Sequence, residues 1–113
     1  MINKEELLQK IPKLLDELKN KNPLTHCITN FVTVNDCANA VLAIGASPIM
    51  SEDIEEVAEV VSISDALVIN IGKLSHEQVE AMKVSSAQAN KINTPVILDP
   101  VGVGISQLRN KVT

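Results

Sequence analysis

One segment of the 113-residue chain joins an acidic side chain to a glycine-rich loop, "DPVGVG", which runs from Asp99 to Gly104. A carboxylate can hold Mg²⁺ or a water molecule, and glycine-rich backbone can bring N–H groups close to an anion. Asp99, Gly102 and Gly104 are therefore candidates for a phosphate and magnesium region. The alternative is that Asp99 only caps the turn that follows it. Neither a P-loop nor the dinucleotide fingerprint is supported, because the P-loop lysine and the third glycine are missing.

Three further candidates, Asn30, Met50 and Gly72, each follow a short apolar run that predicts a strand. Ligands of open parallel sheets bind at the carboxyl ends of the strands, so these residues are expected on the same rim as Asp99. Each has a structural alternative. Met50 can fill a gap in the core, Asn30 can bond its own turn, and Gly72 can supply a positive φ.

The histidines and cysteines give weaker evidence for chemistry. His26 and Cys27 fall inside a predicted strand and point to opposite faces, which favours a structural histidine and a buried thiol. Cys37 falls on the apolar side of a predicted helix, and the spacing of the two cysteines matches no zinc site. We expect both cysteines to be reduced thiols in or near the core. The pattern contains no metal cluster and no nucleophile with an adjacent base.

Alternating helices and strands must position these residues. The sequence predicts an amphipathic helix from about Lys4 to Lys21, kinked or restarted at Pro12. The predicted strands are "LTHCIT", "SPIM", "ALVINIG" and "TPVILD". The third and fourth are apolar on both faces, as is typical of parallel strands covered by helices. These patterns predict a single α/β domain over residues 1–113, with an open, mostly parallel sheet and helices on both faces.

Three more helices are predicted between the strands. The segment "TVNDCANAVLAIG" reads as a helix that ends at Gly45. The segment "SEDIEEVAEVVSIS" predicts a helix with Ser51 as its N-cap. The segment "SHEQVEAMKVSSAQANK" predicts a helix that begins with a capping box formed by Ser75 and Gln78.

Composition excludes several classes of partner. Hydrophobic residues make up 45% of the chain and charged residues 21%, which is typical of a globular protein, but Phe31 is the single aromatic residue. With a net charge of −4 and no aromatic platforms, the chain is not expected to bind nucleic acid or anionic membranes. The longest uncharged stretch contains polar residues and a proline, so no transmembrane span is predicted. The N-terminal region is acidic where a signal peptide is apolar, so we expect a cytoplasmic protein.

Three segments together carry a family resemblance: "PLTHCITNFVTVNDCANAVLAIGASPIM", "ALVINIGKLS" and "PVILDPVGVG". In this order and spacing, from about Leu14 to Arg109, the chain closely resembles the N-terminal part of hydroxyethylthiazole kinases of thiamine biosynthesis. The resemblance implies a ribokinase-like fold and transfer of the ATP γ-phosphoryl group to the hydroxyl of 4-methyl-5-(2-hydroxyethyl)thiazole. It also implies assistance by Mg²⁺ and a homotrimer whose thiazole site is shared between neighbouring subunits.

The resemblance also implies roles for individual residues. Met50 corresponds to the methionine that contacts the thiazole, and Asn30 and Gly72 are expected to line the same pocket. Asp99, with the glycines of its loop, faces the region of phosphoryl transfer.

Members of this family are more than twice as long as this chain, and their later half carries the ATP site and a "GAGC" segment whose cysteine is the proposed base. Neither Cys27 nor Cys37 matches that cysteine, so no catalytic residue is expected in this chain. We expect the chain to be the N-terminal part of a larger domain and to supply the thiazole side of the enzyme. The alternatives are a truncated, non-catalytic thiazole-binding module and an inactive fragment.

Overall fold

The computed structural model describes residues 1–113 and contains four strands and five helices. Helices and strands alternate along the chain, as the sequence predicts. In chain order the elements are α1 (Lys4–Lys21), β1 (Leu24–Ile28), α2 (Val34–Ile44), β2 (Ser47–Ile49), α3 (Val57–Ser62), β3 (Ala66–Asn70), α4 (His76–Lys91), β4 (Val96–Asp99) and α5 (Gln107–Val112).

The four strands form one parallel sheet in the order β2-β1-β3-β4. Each connection between strands passes through a helix, which is the connection that parallel strands require. The register pairs Cys27 with Val68 and Val68 with Ile97, so these three side chains lie on one face of the sheet. The predicted open, parallel α/β sheet is confirmed.

One face of the sheet, called here the closed face, carries His26, Ile28, Leu67 and Ile69. All four side chains are buried, and α3 and α4 cover them. The hydrophobic core is aliphatic and lies on this side, with its helix residues drawn from α3 and α4. Such a core provides most of the free energy that stabilises a fold of this size.

The opposite face, called here the open face, carries Cys27, Val68 and Ile97, and α2 lies over its β1 side. Burial declines across it: Cys27 is buried, Val68 is half-buried and Ile97 is 61% exposed. Neither α2 nor α1, which contacts α2, contains a fully buried residue. Helices therefore cover both faces, as predicted, but very unequally.

Helix α1 runs without interruption through Pro12, so the expectation that the helix would restart there is wrong. A proline removes one backbone hydrogen bond, and this loss is costly when the freed carbonyl is shielded from water. No residue of α1 is buried, so water can reach the freed carbonyl. A capping box between Asn3 and Glu6 also stabilises the first turn. No helix of the fold combines the length and the apolar character needed to cross a membrane.

Of two predicted helix caps, the one at Ser51 is wrong and the one at Ser75 is right in part. Helix α3 begins at Val57, so Ser51 does not cap it. Asp53 instead accepts a hydrogen bond from the Glu55 N–H and forms a turn before the helix. Ser75 does cap α4 by accepting from the Gln78 N–H, but the Gln78 side chain does not return the bond. It reaches the end of β1 instead.

Candidate functional site

Three polar side chains form a hydrogen-bonded row across the carboxyl ends of β1, β3 and β4. The Asn30 amide donates to Asn70 Oδ1 at 3.1 Å, and the Asn70 amide donates to Asp99 Oδ2 at 2.8 Å. The parallel sheet brings these strand ends together, as the sequence predicts. Asp99 bonds to Asn70 rather than capping the turn that follows it.

Gly72 lies against this row. Its N–H donates to Asn70 Oδ1 at 2.8 Å, and a Cβ at this position would come within 2.8 Å of both Asn30 Nδ2 and Asn70 Oδ1. Gly72 does not have a positive φ, so the alternative of a left-handed turn is wrong. Its lack of a side chain allows the two amides to approach the backbone.

The glycine-rich loop after β4 is held by the short helix that follows it. Gly102 and Gly104 both have positive φ, at 76° and 92°. Arg109 of α5 donates to the carbonyls of Ile71, of Gly72 at 2.8 Å, and of Val101 at 3.0 Å. Arg109 therefore joins the loop to the end of β3. The sequence patterns predict neither α5 nor these contacts, because the partners of Arg109 directly after β3 lie 37 and 38 residues away along the chain.

Met50 lies in a cleft of about 150 Å³ at the end of β2. A neighbouring cleft of about 250 Å³ lies between α2 and the open face, and its walls include Asn70 and Asp99. Cys27 and Thr29 line both clefts. The two clefts therefore adjoin at Cys27 and Thr29 and are together called the hollow here, with Met50 in one cleft and Asp99 in the other. Asn30 and Gly72 lie at its rim rather than among the residues that line either cleft.

The two cysteines are free, and both face the cleft beside α2, as expected of reduced thiols near the core. Burial raises the pKa of the Cys27 thiol, and the nearby Cys37 raises it further. The Cys27 thiol is thus an uncharged part of the wall at neutral pH.

Phe31 stands at the mouth of the Met50 cleft and is 67% exposed. The ammonium group of Lys73 lies 3.7 Å from the centroid of its ring, which is a cation–π contact. Sequence analysis did not pair these two residues. Their proximity follows from the pairing of β1 with β3, which the local pattern does not specify.

No group of three or more histidine, cysteine, aspartate or glutamate side chains in the chain could hold a metal ion. The polar row at the rim contains one carboxylate, that of Asp99. Magnesium sites often use only one or two protein carboxylates, with water and substrate phosphates completing the coordination. Asp99 therefore fits the role of a single protein ligand to Mg²⁺ in a site completed by other groups.

Comparison with known sequences decides the family. Residues 15–113 match the profile described as the hydroxyethylthiazole kinase family. The chain belongs to this family. It is 93% identical over 113 residues to the hydroxyethylthiazole kinase of Methanobrevibacter smithii, and 57% identical over 108 residues to that of Clostridium beijerinckii. These alignments cover 100% and 96% of this chain, but 39% of each relative.

A solved structure confirms the fold. The hydroxyethylthiazole kinase protein of Pyrococcus horikoshii OT3 superposes with a TM-score of 0.89 at 42% sequence identity. The match covers 92% of this chain and 41% of that one. The predicted family and its ribokinase-like α/β architecture are thus confirmed, and the chain spans about two fifths of the length of its relatives.

Proposed function

We propose that the chain supplies the thiazole side of a hydroxyethylthiazole kinase, which transfers the γ-phosphoryl group of ATP to the hydroxyl of 4-methyl-5-(2-hydroxyethyl)thiazole in thiamine biosynthesis. One observation carries the proposal: the family match over residues 15–113 contains the whole strand-end rim, from Asn30 to Gly104. The two adjoining clefts, one with Met50 and one with Asp99, support the proposal because they offer neighbouring places for the ring and for the alcohol of the thiazole.

In this proposal the thiazole ring lies against Met50. A thioether is polarisable and makes favourable contacts with aromatic rings, and the small apolar cleft excludes water around the ring. Asn30 and Gly72 border the ring at the rim. The hydroxyethyl arm then points along the hollow toward Asp99, where phosphoryl transfer takes place.

The phosphate end of the proposed site consists of Asp99, Gly102 and Gly104. Mg²⁺, when bound with ATP, neutralises charge on the phosphate oxygens, and Asp99 is the residue of this chain that would hold it. The row from Asn30 to Asp99 keeps the carboxylate oriented. The positive φ of both glycines forms the turns of the loop, and Arg109 joins the loop to the end of β3. Phosphoryl transfer depends mainly on such positioning and charge stabilisation.

We place no catalytic residue in this chain, because neither Cys27 nor Cys37 matches the cysteine that the family resemblance implies as the base. Burial also keeps the Cys27 thiol protonated by raising its pKa. A second candidate is a thiazole-binding module without phosphoryl transfer, because the residues assigned to the thiazole lie in this chain and none of them is assigned a catalytic role. An inactive fragment is the third. We further propose that the chain is the N-terminal part of a larger ribokinase-like domain.

We also propose a cytoplasmic homotrimer. Exposed apolar side chains support an interface between subunits, because surfaces of this kind are usually covered. They lie along α1, next to the Met50 cleft and on α2, at Leu7, Leu8, Leu14, Phe31, Val32 and Leu42. Sedimentation of the protein tests the oligomeric state, and a monomer at all concentrations would contradict the trimer.

Titration calorimetry with thiazole alcohol and with ATP tests the proposed function. A kinase binds both ligands and forms the phosphorylated product, whereas the module binds the thiazole alone and the fragment binds neither. Met50→Ala should weaken thiazole binding about tenfold, which corresponds to ~1.4 kcal/mol. The matched variant Met50→Leu keeps the apolar volume and should stay within about threefold of the wild type. Unchanged thiazole affinity in Met50→Ala would contradict the assigned role.

A further inference from the structure

His26 is a fully buried polar side chain with a single hydrogen bond. Its Nε2 lies 2.7 Å from the carbonyl oxygen of Ser51, and its Nδ1 has no partner. A carbonyl can only accept, so Nε2 carries a proton. Burial lowers the pKa of His26 and favours the neutral ring, so Nδ1 carries none. A buried acceptor without a partner is unfavourable, so packing alone does not account for an imidazole here.

The bond to Ser51 acts on the residue next to Met50. Ile49 is held in the sheet opposite His26, and Ser51 is 5% exposed and donates its hydroxyl to Glu56. Met50 thus lies between Ile49, which pairs with the strand that carries His26, and Ser51, whose carbonyl accepts a hydrogen bond from the His26 ring.

A second contact supports the same segment from α4. The Gln78 amide donates to the Thr29 carbonyl at 2.8 Å and to Glu52 Oε2 at 3.1 Å. Thr29 and Glu52 both line the Met50 cleft. Gln78 therefore fixes the distance between two walls of the cleft, whereas the bond from His26 fixes the direction in which the chain leaves β2.

We propose that His26 is a positioning residue: its Nε2–H donates to the Ser51 carbonyl and thereby sets the direction in which the Met50 side chain enters the cleft. The effect on ligand binding rests on the proposed function, but the effect on Met50 does not. His26 touches no ligand in this account, because it lies on the closed face and Met50 lies beside the open one.

Two substitutions separate this role from simple filling of the core. The amide nitrogen of Gln lies about where the imidazole Nε2 lies, so His26→Gln can keep the bond to Ser51. The shorter amide of Asn corresponds to Nδ1, so His26→Asn cannot reach that carbonyl. The pair keeps a polar amide in the core and changes only its reach.

The chain contains three methionines, so ¹³C-methyl spectra give three signals, and Met50→Leu assigns the one from Met50. We expect His26→Asn to shift or broaden the Met50 signal and His26→Gln to leave it near its wild-type position. Met82, in the core beside the closed face, is the internal control. Equal disturbance of Met82 and Met50, or an undisturbed Met50 in a folded His26→Asn, overturns the proposal.

Two further measurements complete the test. Long-range ¹H–¹⁵N spectra of the wild type should show the neutral Nε2–H tautomer, and an Nδ1–H tautomer overturns the proposal without any substitution. If His26→Asn does not fold, the tautomer of the wild type and the Met50 methyl signal of His26→Gln test the proposal instead. Thiazole affinity should fall about tenfold in His26→Asn and stay within about threefold in His26→Gln, with ATP affinity unchanged in both. A wild type that binds no thiazole contradicts the proposed function, while the methyl spectra still test the positioning role.

Discussion

On the closed face, Leu67 and Ile69 are buried under α3 and α4, whereas on the open face Ile97 is 61% exposed and a hollow separates α2 from the strand ends. Apolar packing organises the first face, and the hydrogen-bonded row at the rim organises the second. On both faces the side chains become more exposed toward the edge strand β4, since Leu98 on the closed face of that strand is 40% exposed.

The two faces therefore differ in what they contribute: the closed face stabilises the fold, and the open face leaves side chains accessible. A packed aliphatic layer holds the backbone of β1 and β3 rigid, and the side chains on the other side of the same strands can then remain accessible to a ligand. His26 and Cys27 illustrate this division, because they are neighbours in sequence and belong to opposite faces. The first helps to orient the segment after β2, and the second lines the hollow.

The largest effect is expected when the buried isoleucine of the closed face is replaced by alanine, and an isoleucine of the open face provides the comparison. Ile69→Ala, at a position 4% exposed, should lower the free energy of unfolding by about 2–5 kcal/mol, because it leaves a cavity in the core. Ile97→Ala on the open face should cost less than about 1 kcal/mol. Urea unfolding measures both.

Leu98→Ala separates the effect of the face from that of the edge strand. It lies beside Ile97 on β4 but on the closed face, so an intermediate loss is expected. Equal losses in Ile69→Ala and Ile97→Ala would show that the two faces contribute equally, contrary to the comparison.

The next effect is expected at the rim, where polar contacts replace packing. Gly72→Ala introduces a Cβ that must displace the amides of Asn30 and Asn70, and we expect a loss of about 1–3 kcal/mol in the free energy of unfolding. The NMR signals of both side-chain amides should shift.

Gly104→Ala is the matched control for this substitution. Its Cβ would meet no atom within 4 Å, so its cost, about 1–2 kcal/mol, comes from the positive φ alone. The amide signals of Asn30 and Asn70 should not move in this variant. Unchanged amide signals in Gly72→Ala would mean that the row does not depend on the glycine.

A smaller effect on the free energy of unfolding is expected from pH. The closed face should lose stability toward acidic pH and the open face toward alkaline pH. Burial lowers the pKa of His26 on the closed face, and the Ser51 carbonyl and the charge of Glu56 only partly oppose this. Below its ordinary pKa of 6.5 the unfolded chain binds a proton at His26 that the folded chain does not bind. The free energy of unfolding should therefore decrease as pH falls from 7.5 to 5.5.

Cys27, on the open face, has a raised pKa, so the same quantity should decrease at the opposite end, as pH rises through the ordinary thiol value of 9.0. Urea unfolding across pH measures both limbs. His26→Gln should reduce the loss of stability at acidic pH and leave the loss at alkaline pH unchanged. If the acidic loss is unaltered in this variant, groups other than His26 cause it.

The smallest effect is expected at the mouth of the hollow. Lys73→Met removes the charge above Phe31 but keeps a long side chain, and it should cost about 0.5–1 kcal/mol, since the contact is exposed. Lys83→Met is the control, because Lys83 pairs with Glu80 on the surface and the loss of such an exposed pair changes stability little. A change in the Phe31 ring signals should accompany the first substitution alone.

Much of the fold was predictable because its signals are local. The caps and apolar periods of α1, α2 and α4 lie within a few residues of the backbone they organise, and all four strands follow from short apolar runs. The start of α3 was mispredicted, since the hydroxyl of Ser51 bonds to Glu56 instead of capping the helix, and a turn at Asp53 delays the first helical residue to Val57. The rim was predictable as a set of strand ends, and the roles of its residues stay predictions.

The sequence by itself determined the order of helices and strands, the parallel sheet, the aliphatic core and the family resemblance. Tertiary structure alone decided which side chains meet: Asn70 with Asn30, Gln78 with Thr29, and Arg109 with Gly72 are 40, 49 and 37 residues apart. It also decided that one face is closed and the other open. The physical reason is that periodicity reports only the immediate neighbours of a residue, whereas these contacts follow from the strand order and from the packing of helices on each face.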